Sequence, residues 1–221
     1  GKKAETPAPA PAESSAAETE VIEEAAEEVS GLAGGWEINT EAGSGSLPQK
    51  AATAFSKAFD GFVGSDVEPI CEVATQLVSG TNYCILCRVT PTVKDPTPTY
   101  SLVYIYEDLQ GNTEIMNFQD LTIGGNSEEN PETATPDGDA VGGWALSDTP
   151  SDLMDKTAAE AFDKAIEGYT GMDLKPICVL GTQIVSGTNY CVLAKGTTVT
   201  KDPVEKLVKV YVYQDLQGNA E

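Results

Sequence analysis

The chain contains the phrase TQLVSGTNYC at Thr75–Cys84 and, with one residue changed, TQIVSGTNYC at Thr182–Cys191. A shift of 107 positions aligns Pro69–Cys84 with Pro176–Cys191, and 12 of these 16 residue pairs are identical. A period this long indicates a duplicated domain, because the units of solenoid repeats run to roughly 20–50 residues. We therefore predict two tandem domains of the same fold.

Other recurring landmarks divide the chain. The triplet GGW occurs at Gly34–Trp36 and again at Gly142–Trp144, and a Gly-, Pro- and acid-rich stretch separates the two copies. The first residues are rich in Ala, Pro, Glu and Ser and have no aromatic side chain, a composition typical of a flexible tether. We predict a tether at residues 1–33, a first domain at 34–123, a linker at 124–140 and a second domain at 141–221.

In each copy, the residue pattern predicts one helix followed by strands. Apolar residues recur at helical spacing in both copies, with Ser46 and Ser151 as candidate N-caps. The stripes are Ala52, Phe55, Phe59 and Phe62 in the first copy, and Ala159, Phe162, Ile166 and Tyr169 in the second. After a short first strand and this helix come four β-rich runs, which indicates an α+β domain of order β-α-β-β-β-β in which a bent antiparallel sheet wraps around the helix.

The repeated phrase has a structural explanation of its own. Val78–Thr81 must reverse the chain between two long strands. Gly80 permits a positive φ at this reversal without a side-chain clash. A hairpin tip needs such residues whether or not it binds a partner.

The same residues resemble those of the cystatins, inhibitors of papain-like cysteine proteases. The match is to their Gln-x-Val-x-Gly first hairpin loop, preceded by a glycine pair, a short strand and one helix. The resemblance implies a wedge that enters a protease cleft. Its hairpin residues would be Gln76, Leu77, Val78, Ser79 and Gly80, and Gln183, Ile184, Val185, Ser186 and Gly187. Its N-terminal residues would be Gly34, Gly35, Gly142 and Gly143.

One part of the family pattern is missing. The family's second hairpin usually presents Pro-Trp, whereas the equivalent tips here are Asp108–Asn112 and Asp215–Asn219, with no aromatic residue. Trp36 and Trp144 do not replace it, because tryptophans at the start of the first strand are expected to pack in the core or against the helix.

Composition excludes several function classes. Thirteen Lys and Arg stand against 35 Asp and Glu, for a net charge of −22, which disfavours nucleic acid and anionic membrane surfaces as partners. The chain has no histidine, which removes Ser-His and Cys-His nucleophile pairs and the commonest zinc ligand. No apolar run is long enough to span a bilayer. We expect no enzyme, no cofactor and no metal site.

Cysteines and tyrosines also recur. Four of the five cysteines are repeat-equivalent, namely Cys71, Cys84, Cys178 and Cys191, and we expect buried thiols rather than disulfides. Cys84 and Cys87 should point to opposite faces of a strand, which argues against a shared metal or bridge. The tyrosines Tyr100, Tyr104, Tyr106, Tyr211 and Tyr213 form a ladder, which we interpret as packing between the domains or as cross-strand pairing.

The second copy stops at Glu221, the equivalent of Glu114, so its fifth strand is almost absent. We predict an exposed edge around Tyr211, with weak order at Asn219–Glu221 or strand exchange with a neighbouring chain. We otherwise expect a monomer.

Taken together, the residues and the resemblance predict an exported, extracellular or cell-surface protein, with a lipid anchor as one option, that inhibits papain-like cysteine proteases. The alternative is a non-inhibitory surface module that binds or scaffolds another protein.

Overall fold

The computed structural model describes residues 26–29, 32, 35–39, 47–124, 143–147 and 154–221. Gly34, Gly142, the predicted linker beyond Gly124 and most of the predicted tether lie outside these residues. The elements before and within the first repeat are β1 (Ala26–Glu28), β2 (Glu37–Ile38), α1 (Gln49–Ala58), β3 (Ser65–Val78), β4 (Gly80–Pro91), β5 (Thr99–Glu107) and β6 (Thr113–Asp120). Those of the second repeat are β7 (Trp144–Leu146), α2 (Lys156–Ile166), β8 (Met172–Val185), β9 (Gly187–Thr198) and β10 (Glu205–Gln214).

The strands form two antiparallel five-stranded sheets. The first sheet has the order β2-β3-β4-β5-β6, and the second has the order β1-β10-β9-β8-β7. The strands of the two repeats do not interleave, and equivalent strands keep the same register: Leu77 pairs with Thr81 in the first sheet, as Ile184 pairs with Thr188 in the second. The structure thus gives the two repeats the same sheet topology.

The α+β interpretation, a sheet wrapped around one helix, is wrong. Strands make up 52% of the structure and helices 13%, so the fold is β-rich and built on two sheets. Each helix covers only the outer face of its sheet, while the inner faces of the two sheets contribute to one shared hydrophobic cluster. The layers therefore run α1, first sheet, second sheet, α2.

The central strands explain this arrangement. In β4, Ile85 and Cys87 pack against α1, whereas Cys84 and Leu86 lie in the cluster between the sheets. All four side chains are fully buried. Successive strand residues point to opposite faces, so a continuous apolar run needs an apolar layer on both sides. One helix supplies one layer, and the other repeat supplies the second.

The repeat-equivalent strand β9 follows the same rule. Val192 and Ala194 pack with α2, while Cys191 and Leu193 join Cys84 and Leu86 between the sheets. We call the cluster between the sheets the inter-sheet core. Its buried members are Val29, Ile38, Ile70, Cys71, Val73, Ala74, Cys84, Leu86, Tyr100, Leu102, Tyr104, Leu121, Ile177, Cys178, Leu180, Cys191, Leu193 and Leu207.

The helices are shorter than the apolar stripes suggest, and neither begins at the predicted cap. Pro48 is the N-cap of α1, without a side-chain hydrogen bond, and Asp155 caps α2 by accepting a hydrogen bond from the N–H of Ala158. The predicted caps Ser46 and Ser151 lie outside the described residues. Phe59 comes just after the last residue of α1, where its ring stacks on Phe55 at 4.4 Å.

The edge of β10 is not bare, so the prediction of an exposed edge around Tyr211 is wrong. β1, from the segment interpreted as a tether, pairs with β10 through Ala26↔Val210, Glu27↔Lys209 and Glu28↔Val208. At the other end of β10, Ala220 bridges to Gln214. The chain's own two end segments therefore supply the fifth strand of the second sheet.

Aromatic residues and cysteines fill the inter-sheet core. The ring of Trp36 makes an edge contact with Tyr104 at 5.7 Å, and Trp144 makes the equivalent contact with Tyr211 at 5.7 Å. Both tryptophans are partly buried against the inter-sheet core, which is one of the two predicted placements. All five cysteines are buried free thiols, and burial raises the pKa of Cys71 to about 12.

Substitutions in the inter-sheet core should lower the free energy of unfolding strongly. We predict that Leu86→Ala lowers the free energy of unfolding by about 2–5 kcal/mol, because it removes a fully buried side chain and leaves a cavity. Leu77→Ala deletes the same atoms at a position that is 86% exposed and should change it by less than about 0.5 kcal/mol. Urea denaturation measures both values. Equal effects of the two substitutions would contradict this packing.

Candidate functional site

The repeated phrase forms the tip between the two longest strands of each sheet. Val78 pairs with Gly80 across Ser79 in the first repeat, and Val185 pairs with Gly187 in the second. Gly80 has a φ of 110°, and a Cβ atom there would clash with the carbonyl oxygen of Glu107. Only glycine fits, because both the backbone conformation and the close approach of β5 exclude a side chain.

Polar residues of the phrase hold the hairpin together. The side-chain amide of Asn82 donates to Oε1 of Gln76 at 2.9 Å, and Asn189 donates to Gln183 at 2.8 Å. The Tyr106 hydroxyl donates to the carbonyl oxygen of Ser79 at the tip. Tyr213 makes the same bond to Ser186 in the second repeat. These polar residues therefore have structural roles.

The apolar residues before the turn are exposed. Leu77 is 86% exposed and Ile184 is 66% exposed, while Val78 and Val185 are 44% and 38% exposed. These four side chains are accessible for contact with a partner, and sequence reasoning had included them in the predicted wedge. Exposure at equivalent positions of both repeats makes them the centre of the candidate site.

The second hairpin ends beside the first. Thr81 of β4 pairs with Glu107, the last residue of β5, so the loop Asp108–Asn112 starts next to the first tip. Leu109 in this loop is 76% exposed, and its equivalent Leu216 is 75% exposed. Sequence reasoning missed both leucines. The available signal was one apolar residue inside an otherwise polar turn, recurring at the same shift.

The second loop is held by hydrogen bonds. A side-chain oxygen of Asp108 accepts from the N–H of Gln110 at 2.9 Å and from that of Asn112 at 2.8 Å, and its other oxygen accepts from the Asn112 side chain at 3.0 Å. Lys57, at the end of α1, donates to the carbonyl oxygen of Gly111 at 3.4 Å. Lys164 of α2 donates to Gly218 at 3.1 Å. The helix thus fixes the loop that presents the leucine.

The glycine segments lie at the same edge. A Cβ atom on Gly35 would be 3.6 Å from Nε2 of Gln76, and Gly143 precedes Trp144, which pairs with Gln183. The structure thus brings each described glycine close to its hairpin, whereas Gly34 and Gly142 lie outside the described residues. We call the set Gly35, Leu77, Val78 and Leu109 the first tip edge, and the set Gly143, Ile184, Val185 and Leu216 the second tip edge.

The two tip edges point in opposite directions. Arg88 lies nine residues from Ser79 along β4, about 30 Å at ~3.3 Å per residue, and its guanidinium donates to the carbonyl oxygen of Ser147 at 2.9 Å. Ser147 follows β7, near the tip half of the second sheet. Gly124 follows the end of β6 that lies farthest from the first tip, which we call the remote end of the first repeat. Its N–H donates to the Tyr211 hydroxyl at 3.2 Å. The remote end of the first repeat therefore meets the tip half of the second.

Metal centres and membrane-spanning helices are two further kinds of functional feature. No three Cys, Asp or Glu side chains among the described ranges lie together as metal ligands. Neither α1 nor α2, the helices of the described part of the chain, has the length and apolar character needed to cross a membrane. Comparison with known proteins gives no family model that matches the chain and no curated protein that is significantly similar to it.

The pH dependence of the second loop follows from Asp108. Hydrogen bonds from the side chain and backbone of Asn112, and from the backbone of Gln110, hold the pKa of Asp108 below its usual value. The loop's extra stability should therefore be complete above the usual Asp pKa of about 3.9 and be lost as pH falls through the lower folded-state pKa.

We predict that amide protection factors at Gln110 and Asn112, measured by hydrogen exchange, fall over this acid range in the native chain. Asp108→Asn should lower them already at neutral pH and remove the acid dependence. Identical profiles for the two proteins would contradict the role assigned to the carboxylate.

Proposed function

We propose that the chain inhibits papain-like cysteine proteases by inserting its tip edges into the substrate cleft. The observation that carries this proposal is the repeated exposure of apolar side chains on hydrogen-bonded turns, at Leu77 and Leu109 and again at Ile184 and Leu216. Burying one such side chain stabilises a complex by about 1.5–3 kcal/mol. The first hairpin tips, Gln76–Gly80 and Gln183–Gly187, carry no charged residue and suit a narrow cleft.

The rigidity of the tips supports the same proposal. The Ser79 carbonyl accepts the Tyr106 hydroxyl, and Gln76 is bonded to Asn82 across the hairpin. A turn that is already ordered loses little conformational entropy when it binds. A peptide group tied into the hairpin is also a poor substrate, since cleavage requires an extended segment that can adapt to the catalytic residues. These features favour an inhibitor over a substrate.

A second candidate function uses the same residues without inhibition. The second loop presents Leu109 and Leu216, where the resembled family presents an aromatic residue, and buried aromatic residues commonly contribute ~2 kcal/mol or more to an interface. A cell-surface module that binds a protein through its tip edges would need no such anchor. We propose that either function is exercised outside the cell, in keeping with the Pro-, Ala- and Glu-rich first residues.

Charged substitutions at the tips test the proposal. We predict that the native chain inhibits a papain-type protease, and that combining Leu77→Asp with Ile184→Asp weakens inhibition by at least about 100-fold. The physical reason is that a carboxylate desolvated in a cleft costs several kcal/mol, and ~1.4 kcal/mol corresponds to a factor of ten. Inhibition is measured by titration against a fluorogenic substrate.

The control is Met116→Asp, on the edge strand β6 outside the tip edge, where the side chain is also exposed. It should leave inhibition unchanged, and all variants should keep the native melting temperature. Binding of the protease without loss of its activity would favour the non-inhibitory module. Inhibition that survives both tip substitutions would contradict the proposed site.

The opposed tip edges make a further prediction about stoichiometry. The end of the first repeat at Arg88, about 30 Å from its own tip, contacts the second sheet at Ser147, from which we infer that the two edges cannot share one cleft. We predict that the native chain binds two protease molecules, and that either Leu77→Asp or Ile184→Asp alone reduces the number to one. Isothermal titration or mass measurement of the complex gives the ratio. A 1:1 complex with the native chain would contradict two independent edges.

A further inference from the structure

The fifth strand of the second sheet has an unusual origin. In the first sheet this position is filled by β6, eight residues that follow β5 directly along the chain. In the second sheet it is filled by β1, three residues from the opposite end of the chain. The N–H of Val29 donates to the carbonyl oxygen of Leu207 at 2.8 Å, as Leu121 does to Tyr100. β1 therefore occupies the position equivalent to the end of β6.

The side chains that join the last two strands form ion pairs in the second sheet, unlike those described in the first. In the first sheet, Leu102 faces Gln119, and no ion pair joins the two strands among the described residues. In the second sheet, the Lys209 ammonium lies 3.1 Å from a carboxylate oxygen of Glu27. A second ion pair joins Lys206 and Glu28 at 3.4 Å. β10 therefore carries two cations where an acidic strand docks.

The pairing at this edge is short. β1 contributes three paired residues to the sheet, and its acidic side chains remain largely exposed. The chain leaves β1 at Val29 and enters the first sheet at Glu37, so release of β1 would leave β7–β10 and β2–β6 otherwise intact. A released β10 edge would present bare N–H and C=O groups, which are a template for another strand.

We propose that β10 is an acceptor edge for a short acidic strand, filled by β1 of the same chain or by β1 of a second copy. A second copy is the matching partner because it carries the same Glu27 and Glu28 for Lys206 and Lys209. Most of a surface with a net charge of −22 repels a like molecule, and the two lysines provide a local exception. Reciprocal exchange of β1 between two chains keeps every ion pair that the single chain makes.

Two charge-reversed full-length chains test this proposal. The variant Glu27→Lys with Glu28→Lys places four cations together, and the variant Lys206→Glu with Lys209→Glu places four anions together. In each variant the strand and its own edge repel. When the two variants are mixed in equal amounts, β1 of each variant has a charge opposite to that of β10 in the other variant. We expect light scattering after size exclusion to give mainly monomer for each variant alone and mainly a 1:1 heterodimer for the mixture.

The matched control combines all four substitutions in one chain. This chain again has complementary charges on β1 and β10. It lacks the hydrogen bond from Lys209 to the carbonyl oxygen of Thr122, so it shows the effect of that loss without charge repulsion between the strands. We expect it to be monomeric, with the circular dichroism of the native protein. A mixture that remains monomeric would overturn the proposal, and so would a dimer of either variant alone that is as stable as the heterodimer.

Discussion

The face-to-face contact between the two sheets is the constraint on which the rest of the structure depends. Each central strand is apolar on both sides, so a sheet covered by one helix still has an uncovered apolar face. Leu86 and Leu193, from equivalent strands, are both fully buried in the inter-sheet core. At roughly 25 cal/mol per Å² of apolar surface removed from water, exposure of such a face would be costly. The repeats are therefore two halves of one core.

This packing also places the candidate site. Because the remote end of the first repeat meets the tip half of the second, the tips project from opposite ends rather than competing for one partner. Within each repeat, the long strands carry the hairpin away from the core, and Gly80 or Gly187 allows the next strand to approach closely. The apolar residues at the tips stay exposed because no helix or strand of the described residues covers them. A stable core and accessible tips thus arise from the same long strands.

The helices and hairpins could be predicted from the sequence, whereas the packing of the two sheets was not predicted. Periodicity located both helices approximately, and the repeated phrase identified the hairpins, since a glycine between β-rich runs indicates a turn directly. The stacking of the sheets was missed, although the run Tyr83–Cys87 has no polar face and already indicated burial on both sides. β1 was missed because pairing between residues 180–184 positions apart leaves no local periodicity. Leu109 was missed because its exposure depends on the neighbouring hairpin.

The second repeat expressed alone, residues 141–221, tests the shared core most directly. The measurement is the rate at which Cys178 and Cys191 react with a thiol reagent under native conditions. Both thiols are buried in the intact chain, and burial raises the pKa of Cys191 to about 12, so neither should react before unfolding. Without the first sheet, we expect the inner face to be exposed and both thiols to react rapidly. A monomeric isolated repeat that unfolds cooperatively and keeps both thiols protected would contradict the account.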